Sequence, residues 1–449
     1  MKTTASNIAS ITALLLMAVQ AHAASIAFVN VNILPMSSNE VLHARTVIVT
    51  DGTIAVIGAV DGTSLPEDAL VVDGTDRYLM PGLAEMHAHI PSSSSEELDR
   101  VLRLFIANGV TTVRGMLGES GHLELRQSIA NGSILGPRLI TSGPSFNGRS
   151  VNGADNGAEM VREQHAAGYD FLKIHPGLSR AEFHAVAETA NELGMPFAGH
   201  VPEAVGVPAA LAAGIASIDH LDGYMQLLLP PNADSSDGPG GFFGVLLAGE
   251  ALEGNIVPAA EATAEAGVWN VPTESLFEHV TAPIDPDELA DRPEMKYMPA
   301  ATVEEWKQRK LEVTGDSGYV PAVAARAIEL RRKLVAALHD ADAGLLLGSD
   351  SPQIFNVPGF AIHRELQYLV EAGLTPYEAL RTGTANPARF FGKAGTFGTI
   401  EPGLEADLVL LDDNPLENIE SSRRIHGVML RGKWLTRQDL DAMLEMLRR

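Results

Sequence analysis

Two rhythms of apolar residues run along the chain. Between about residues 79 and 391, short continuous apolar runs recur at 80–86, 110–116, 138–142, 171–175, 196–201, 216–221, 268–273 and 345–350. Stretches with a helical period separate most of them, at 95–107, 121–130, 158–167, 180–193, 204–213, 258–266 and 322–338, and another follows at 363–372. Continuous apolar strands alternating with helices predict a parallel sheet covered by helices on its outer face. Eight such units predict an α/β fold of the (β/α)8, TIM-like barrel type.

The ends follow a different rhythm. Residues 25–72 alternate in short β runs, with Asp51-Gly52 as a hairpin signal, and 408–411, 427–430 and 432–434 echo them. The expected organisation is therefore a barrel at 79–392 and one composite β domain built from 24–78 and 393–449. Two stretches interrupt the repeat, a Gly/Pro/Asp-rich one at 230–244 and a Pro-rich acidic one at 281–299. Both fall on loops after strands, on the side of a barrel that carries active sites, where each is either a lid or a surface insertion.

Residues 1–23 read as a secretory signal peptide. Lys2 is the only charge before Glu40, an apolar stretch spans 8–19, and Ala21-His22-Ala23 offers a small-residue cleavage site. The apolar stretch is shorter than the ~20 residues that span a bilayer. The expectation is cleavage after Ala23 and a mature protein that is exported to the periplasm and free of the membrane.

Charge and composition narrow the function. The 449 residues carry 32 Lys+Arg against 57 Asp+Glu, a net charge of −25. Such a chain repels polyanions, which argues against a nucleic-acid or anionic-membrane partner. The absence of cysteine excludes disulfides, Cys-type zinc sites, iron–sulfur clusters and Cys nucleophiles. The motifs of serine hydrolases, P-loops, HExxH zinc enzymes, dinucleotide-binding folds and EF-hands are missing too.

Ionisable residues gather at the ends of the predicted strands. His87 and His89 close the first, Lys173 lies in the fourth, His200 ends the fifth, His220 the sixth and Asp350 the eighth. Strand ends of a barrel converge on one mouth, and residues two apart share a face, so His87 and His89 aim at one point. Imidazoles and a carboxylate suit zinc, with manganese or iron as alternatives. An ammonium would repel such a cation. Lys173 fits the set when carbon dioxide converts it to a carbamate, an anionic ligand able to bridge two metals. Each residue alone is weak evidence; five of eight strands contributing at the same end is strong.

Further residues are candidates at the rim. His175 shares a face with Lys173, and Tyr224 follows His220 closely, so both are read as substrate contacts. Arg114, Arg138 and Arg149 are candidate partners for a substrate carboxylate. Asp219 neighbours His220 in a strand and is expected to face the opposite way, without a role. His363 reads as helix packing, and His43, His122, His165, His184, His279, His339 and His426 as surface or loop residues.

The chain resembles the amidohydrolase superfamily, in its imidazolonepropionase-like and prolidase-like branch. The resemblance is carried by Pro81-Gly82-Leu83-Ala84-Glu85-Met86-His87-Ala88-His89, Asp170-Phe171-Leu172-Lys173, Gly199-His200, Asp219-His220 and Gly348-Ser349-Asp350, with 382–387, 398–403 and 406–409 further on. It implies a binuclear site: His87, His89 and Asp350 on the deeper metal, His200 and His220 on the second, and carbamylated Lys173 bridging two divalent ions, most simply Zn2+. It also implies a β-sandwich made from both chain ends. One departure is Gly115 after Arg114, where many relatives carry Asp. The function implied is metal-dependent cleavage of a small amide, of the dipeptide or N-acyl amino acid type, by a metal-bridging hydroxide with Asp350 as proton shuttle. The same site would serve a cyclic amidase or lactonase, a deaminase or a phosphotriester hydrolase. A non-catalytic binding protein is a further class, against which the complete ligand set counts. The partner is a small-molecule substrate; assembly into a homo-oligomer is open.

Overall fold

The computed structural model describes residues 25–231 and 240–449. The segment read as a signal peptide, 1–23, and the middle of the 230–244 loop lie outside the described residues.

Both ends of the chain meet in one eight-stranded sheet. Its hydrogen-bonded order is Lys433–Thr436, Ile425–Leu430, Leu408–Leu411, Tyr78–Pro81, Ser25–Ile33, Leu42–Thr50 and Thr53–Ala59, with Leu70–Asp73 also paired to Ser25–Ile33. The ends join where Leu79 pairs with Leu410 in antiparallel register. Asp51 and Gly52 both adopt left-handed φ, 52° and 74°, between the paired Thr50 and Thr53. This suits a two-residue hairpin loop, because positive φ at both positions matches the strand twist. Phe28, Val31, Val47, Leu79, Leu408 and Met429 form this sheet's own core.

The first predicted run divides at Gly82. Tyr78–Pro81 belongs to the β sheet, and Leu83–Ala88 opens the parallel part. A Cβ on Gly82 would lie 2.2 Å from Thr111 Oγ1, so only glycine passes between the two layers. Leu83–Ala88, Val110–Gly115 and Arg138–Thr141 form one parallel sheet. Leu172–Ile174, Phe197–Gly199, Ser217–Asp219 and Trp269–Val271 form a second. Parallel bridges Ser142–Phe171 and Phe146–Ile174 link them.

The eighth run, 345–350, forms no ladder strand. It is held by the bridge Asn270–Leu345 on one side and Ala88–Ser351 on the other. Met86 N donates to Leu347 O at 2.8 Å, and His89 N to Ser351 O at 2.9 Å. Between these bridges Asp350 turns into the left-handed region, with φ 60°.

Local signals set the helices. Ser179 and Glu182 cap Arg180–Leu193 reciprocally, and Gly194 ends it at φ 64°. Phe360–Glu371 buries Ile362, Leu366 and Leu369 against the interior. No helix of the described residues is long and apolar enough to cross a membrane.

Candidate metal centre

The six residues singled out at the ends of five strands stand together in space. The His87 ring centroid lies 4.4 Å from that of His220 and 5.8 Å from that of His89. His220 in turn lies 4.7 Å from His200. Lys173 Nζ is 3.5 Å from His87 Nε2. Asp350 Oδ1 is 3.1 Å from His89 Nε2 and 3.6 Å from His87 Nε2, and its Oδ2 is 3.8 Å from His220 Nδ1. His87, His220 and Asp350 each offer a donor atom within 4.8 Å of the other two, and all three are buried.

Strained backbone aims these groups. His220 and Asp350 adopt φ of 65° and 60°, and Thr273, whose hydroxyl meets His220 Nδ1 at 2.9 Å, adopts 52°. Non-glycine residues in this region cost on the order of 1–3 kcal/mol each and persist where surroundings over-determine them. Arg331 supplies part of that constraint. It donates to His220 O at 2.7 Å and Pro272 O at 2.8 Å while its charge meets buried Glu274.

Burial sets the charge state. Desolvation lowers the pKa of His87, His220 and His89, so these imidazoles are neutral and keep a lone pair. The same cause brings Lys173 down to about 8, against the pull of Asp219 and Asp350. Asp350 Oδ2 accepts from Gln353 Nε2 at 3.0 Å. Its Oδ1 is buried and accepts no hydrogen bond. A carboxylate oxygen left bare among neutral imidazoles is costly unless a cation completes it. The donor set thus fits a divalent ion.

Three acids behind the imidazoles complete the site. Asp219 is the main correction: its Oδ2 lies 2.8 Å from His87 Nδ1. Arg114 Nη2 donates to both Asp219 oxygens at 3.1 Å, and Ser217 Oγ to one at 2.8 Å. Strand alternation fails because the backbone reverses at His220, letting Asp219 and His220 serve one site. Asp222 holds His200 Nδ1 at 3.0 Å. Glu85, buried and pushed up to about 8 by desolvation, accepts from His87 N at 3.0 Å and Ser349 N at 2.8 Å. Its place two residues before His87, on the same face, was the available signal.

The rim candidates divide. His175 stacks on His200 at 5.1 Å, and burial lowers it to about 2, so it is neutral. Tyr224 turns away: its hydroxyl meets Thr263 Oγ1 at 2.7 Å within the helix layer, and it is buried there. Arg114 is spent on Asp219 beneath the site. Arg138 starts its strand at the far end and pairs with Glu405 and Asp407. Arg149 is exposed on the loop after the third strand. His122 and His279 are buried rather than on the surface; the first meets Pro91 O at 3.1 Å and the second Arg292 Nη1 at 2.6 Å. His363 packs between Ser422 Oγ and Asn108 O. Phe243, absent from the sequence reading, lies flat on His220 at 4.7 Å and 12°.

Residues 78–435 match the model of the Amidohydrolase family. The chain is 25% identical over 430 residues to ochratoxinase of Aspergillus niger, covering 88% of this chain and 83% of that protein. The solved structure of bottromycin amidohydrolase matches with a TM-score of 0.70 at 23% identity, over 94% of this chain and 89% of the other. A Xaa-Pro dipeptidase with bound methionine in its active site matches at 0.65 and 19% identity, over 92% and 100%. These two likenesses are of fold, a TIM-barrel type with an additional domain.

The chain belongs to the amidohydrolase family. It is a hydrolase acting on carbon–nitrogen bonds, in a family whose members generally use divalent metals.

Proposed function

We propose that this chain is an exported hydrolase of small amides, of the dipeptide or N-acyl amino acid type, working at divalent cations held in the mouth of a closed eight-unit barrel. The observation that carries the reading is the bare, buried Asp350 Oδ1 set among His87, His89 and His220. The bridges on both sides of 345–351 support closure, and the 1–23 pattern supports export.

In this reading His87, His89 and Asp350 would hold one cation and His200 and His220 a second, with carboxylated Lys173 as a further anionic ligand. Nitrogen and oxygen donors without sulfur suit zinc in a catalytic role. Divalent metal bound there supplies a water ionised near neutral pH and an electrophile for the amide carbonyl. Lys173 reaches its ligand form by forming an N–C bond to carbon dioxide and releasing one proton to solvent. Its pKa of about 8 leaves a share of neutral amine for that step near neutral pH. Asp219 and Asp222 hold the Nδ1 atoms of His87 and His200, so both rings present Nε2 inward. Asp350 is the carboxylate placed to take a proton and pass it to the leaving nitrogen, and Gln353 Nε2 donates to its Oδ2 at 3.0 Å.

The test is metal removal. Dialysis against a chelator abolishes amide hydrolysis, zinc restores it, and Asp350→Asn lowers kcat by roughly 10²–10⁴-fold while the circular dichroism spectrum is unchanged. Full activity in metal-free protein ends this reading.

A further inference from the structure

A cavity of about 660 Å3 opens beside His200 and Asp222 at the mouth. That volume lies within the range of sites for small organic molecules. Its described walls come from residues between Pro176 and Leu247, and Val201, Val207, Leu227, Leu247 and Phe243 make them largely apolar.

Charge restricts what enters. From residue 181 to residue 291 the sequence contains no lysine or arginine. The acids among the described lining residues are Glu203 and Asp222, and Asp222 is engaged with His200. Arg180 is engaged with Ala204 O at 3.2 and 3.3 Å, and no lysine or arginine is among the described lining residues, so a carboxylate placed against Glu203, away from the His200 side, would meet like charge.

The shape of the 240–244 turn adds a second constraint. Gly240, Gly241, Phe243 and Gly244 all have left-handed φ, with Phe243 at 47°. A Cβ on Gly244 would lie 2.7 Å from Met225 Cβ, so the turn depends on glycine there. The result is an aromatic ring lying on His220 and 5.9 Å from His200, held by a backbone that phenylalanine rarely adopts. Strain that places an apolar ring against two polar ligand candidates points to a role in the site.

We infer that this cavity receives one of the two substituents of the scissile amide, and that it selects a neutral apolar group, an aromatic ring or a branched aliphatic chain, over one bearing a carboxylate. The inference rests on the amide-hydrolase reading and narrows it: a free carboxylate on the substrate belongs to the other substituent, away from the fifth and sixth units. Phe243 and Glu203 are the specificity-determining residues.

The test reads binding without turnover. Zinc-loaded Asp350→Asn protein is titrated with acetanilide and with 4-acetamidobenzoate, which differ by one carboxylate, using ligand-observed NMR. Acetanilide should bind at least tenfold tighter. Adding Phe243→Ala should weaken acetanilide two- to tenfold. Adding Glu203→Lys, at an exposed position, should instead raise the affinity for 4-acetamidobenzoate. Equal affinity for the pair, or acetanilide binding indifferent to Phe243→Ala, overturns the subsite. Failure of the unmodified zinc enzyme to hydrolyse any amide would overturn the amide reading separately, because the binding comparison does not depend on it.

Discussion

Asp219 and His87 sit on different strands, yet Asp219 Oδ2 stands 2.8 Å from His87 Nδ1 with both side chains buried. Arg114 grips both oxygens of the same carboxylate, so Asp219 is fixed independently of the ring it orients. With Nδ1 facing this carboxylate, Nε2 of the ring faces Lys173 and Asp350. Asp219→Asn keeps the shape and removes the charge. Zinc affinity should fall about 10–100-fold, as for other outer partners of metal-binding imidazoles. Titration against a chromophoric chelator checks it; wild-type affinity in the variant would refute the role.

Lys173 separates a carbamate from an ordinary amine. Lys173→Ala removes the side chain from a fully buried position beside His87. Activity should drop by more than about a hundredfold, beyond the usual loss from an outer partner. Formate or acetate should restore part of it, since a small carboxylate can occupy the vacated space and supply two oxygens. Rescue by methylamine in place of carboxylates would instead mark the lysine as a catalytic amine.

Much of this arrangement was legible in the sequence, for identifiable reasons. Apolar runs report strands because both faces of a parallel strand are covered, and Asp51-Gly52 reports a hairpin because its φ requirements are local. His87, His89, Lys173, His200, His220 and Asp350 stood out because strand ends share one rim. Asp219 was misread because alternation assumes extended backbone, and His220 breaks it at φ 65°. Tyr224 was misplaced because the short helix Tyr224–Leu227 carries it into the helix layer. Burial of His122 and His279 is a tertiary property that no local pattern encodes. The seat of Phe243 depends on four left-handed residues between 240 and 244, which glycine content permits without specifying.

Arg138 is expected to serve stability rather than substrate. It bridges the start of the third parallel strand to Glu405 and Asp407, next to the terminal sheet. Arg138→Met leaves Asp407 nearly buried without its cation. Breaking a buried pair costs about 3–5 kcal/mol; partial exposure of the guanidinium brings the expectation to about 1–3 kcal/mol. Urea unfolding should show that loss, with KM for a carboxylate-bearing amide unchanged. A raised KM at unaltered stability would return Arg138 to the substrate.

Glu365 should leave a signature in the pH dependence of stability. It is buried, and its two oxygens accept from Glu274 N at 2.9 Å and Ser275 N at 2.7 Å, at the start of the helix Glu274–Thr281. Burial first, then the neighbouring Glu274 charge, push its pKa from 4.5 up to about 8. Between those values the folded chain holds a proton that the unfolded chain has released. Stability from this group is therefore complete below about 4.5, declines as pH rises, and is lost above about 8. Glu365→Gln cannot titrate and keeps one acceptor for the helix, so it should cost about 1–3 kcal/mol at pH 5 and flatten the decline. Thermal unfolding between pH 5 and 8 compares the two slopes. Identical slopes would mean that Glu365 is ionised in the folded chain, its charge sustained by the two backbone donors it caps.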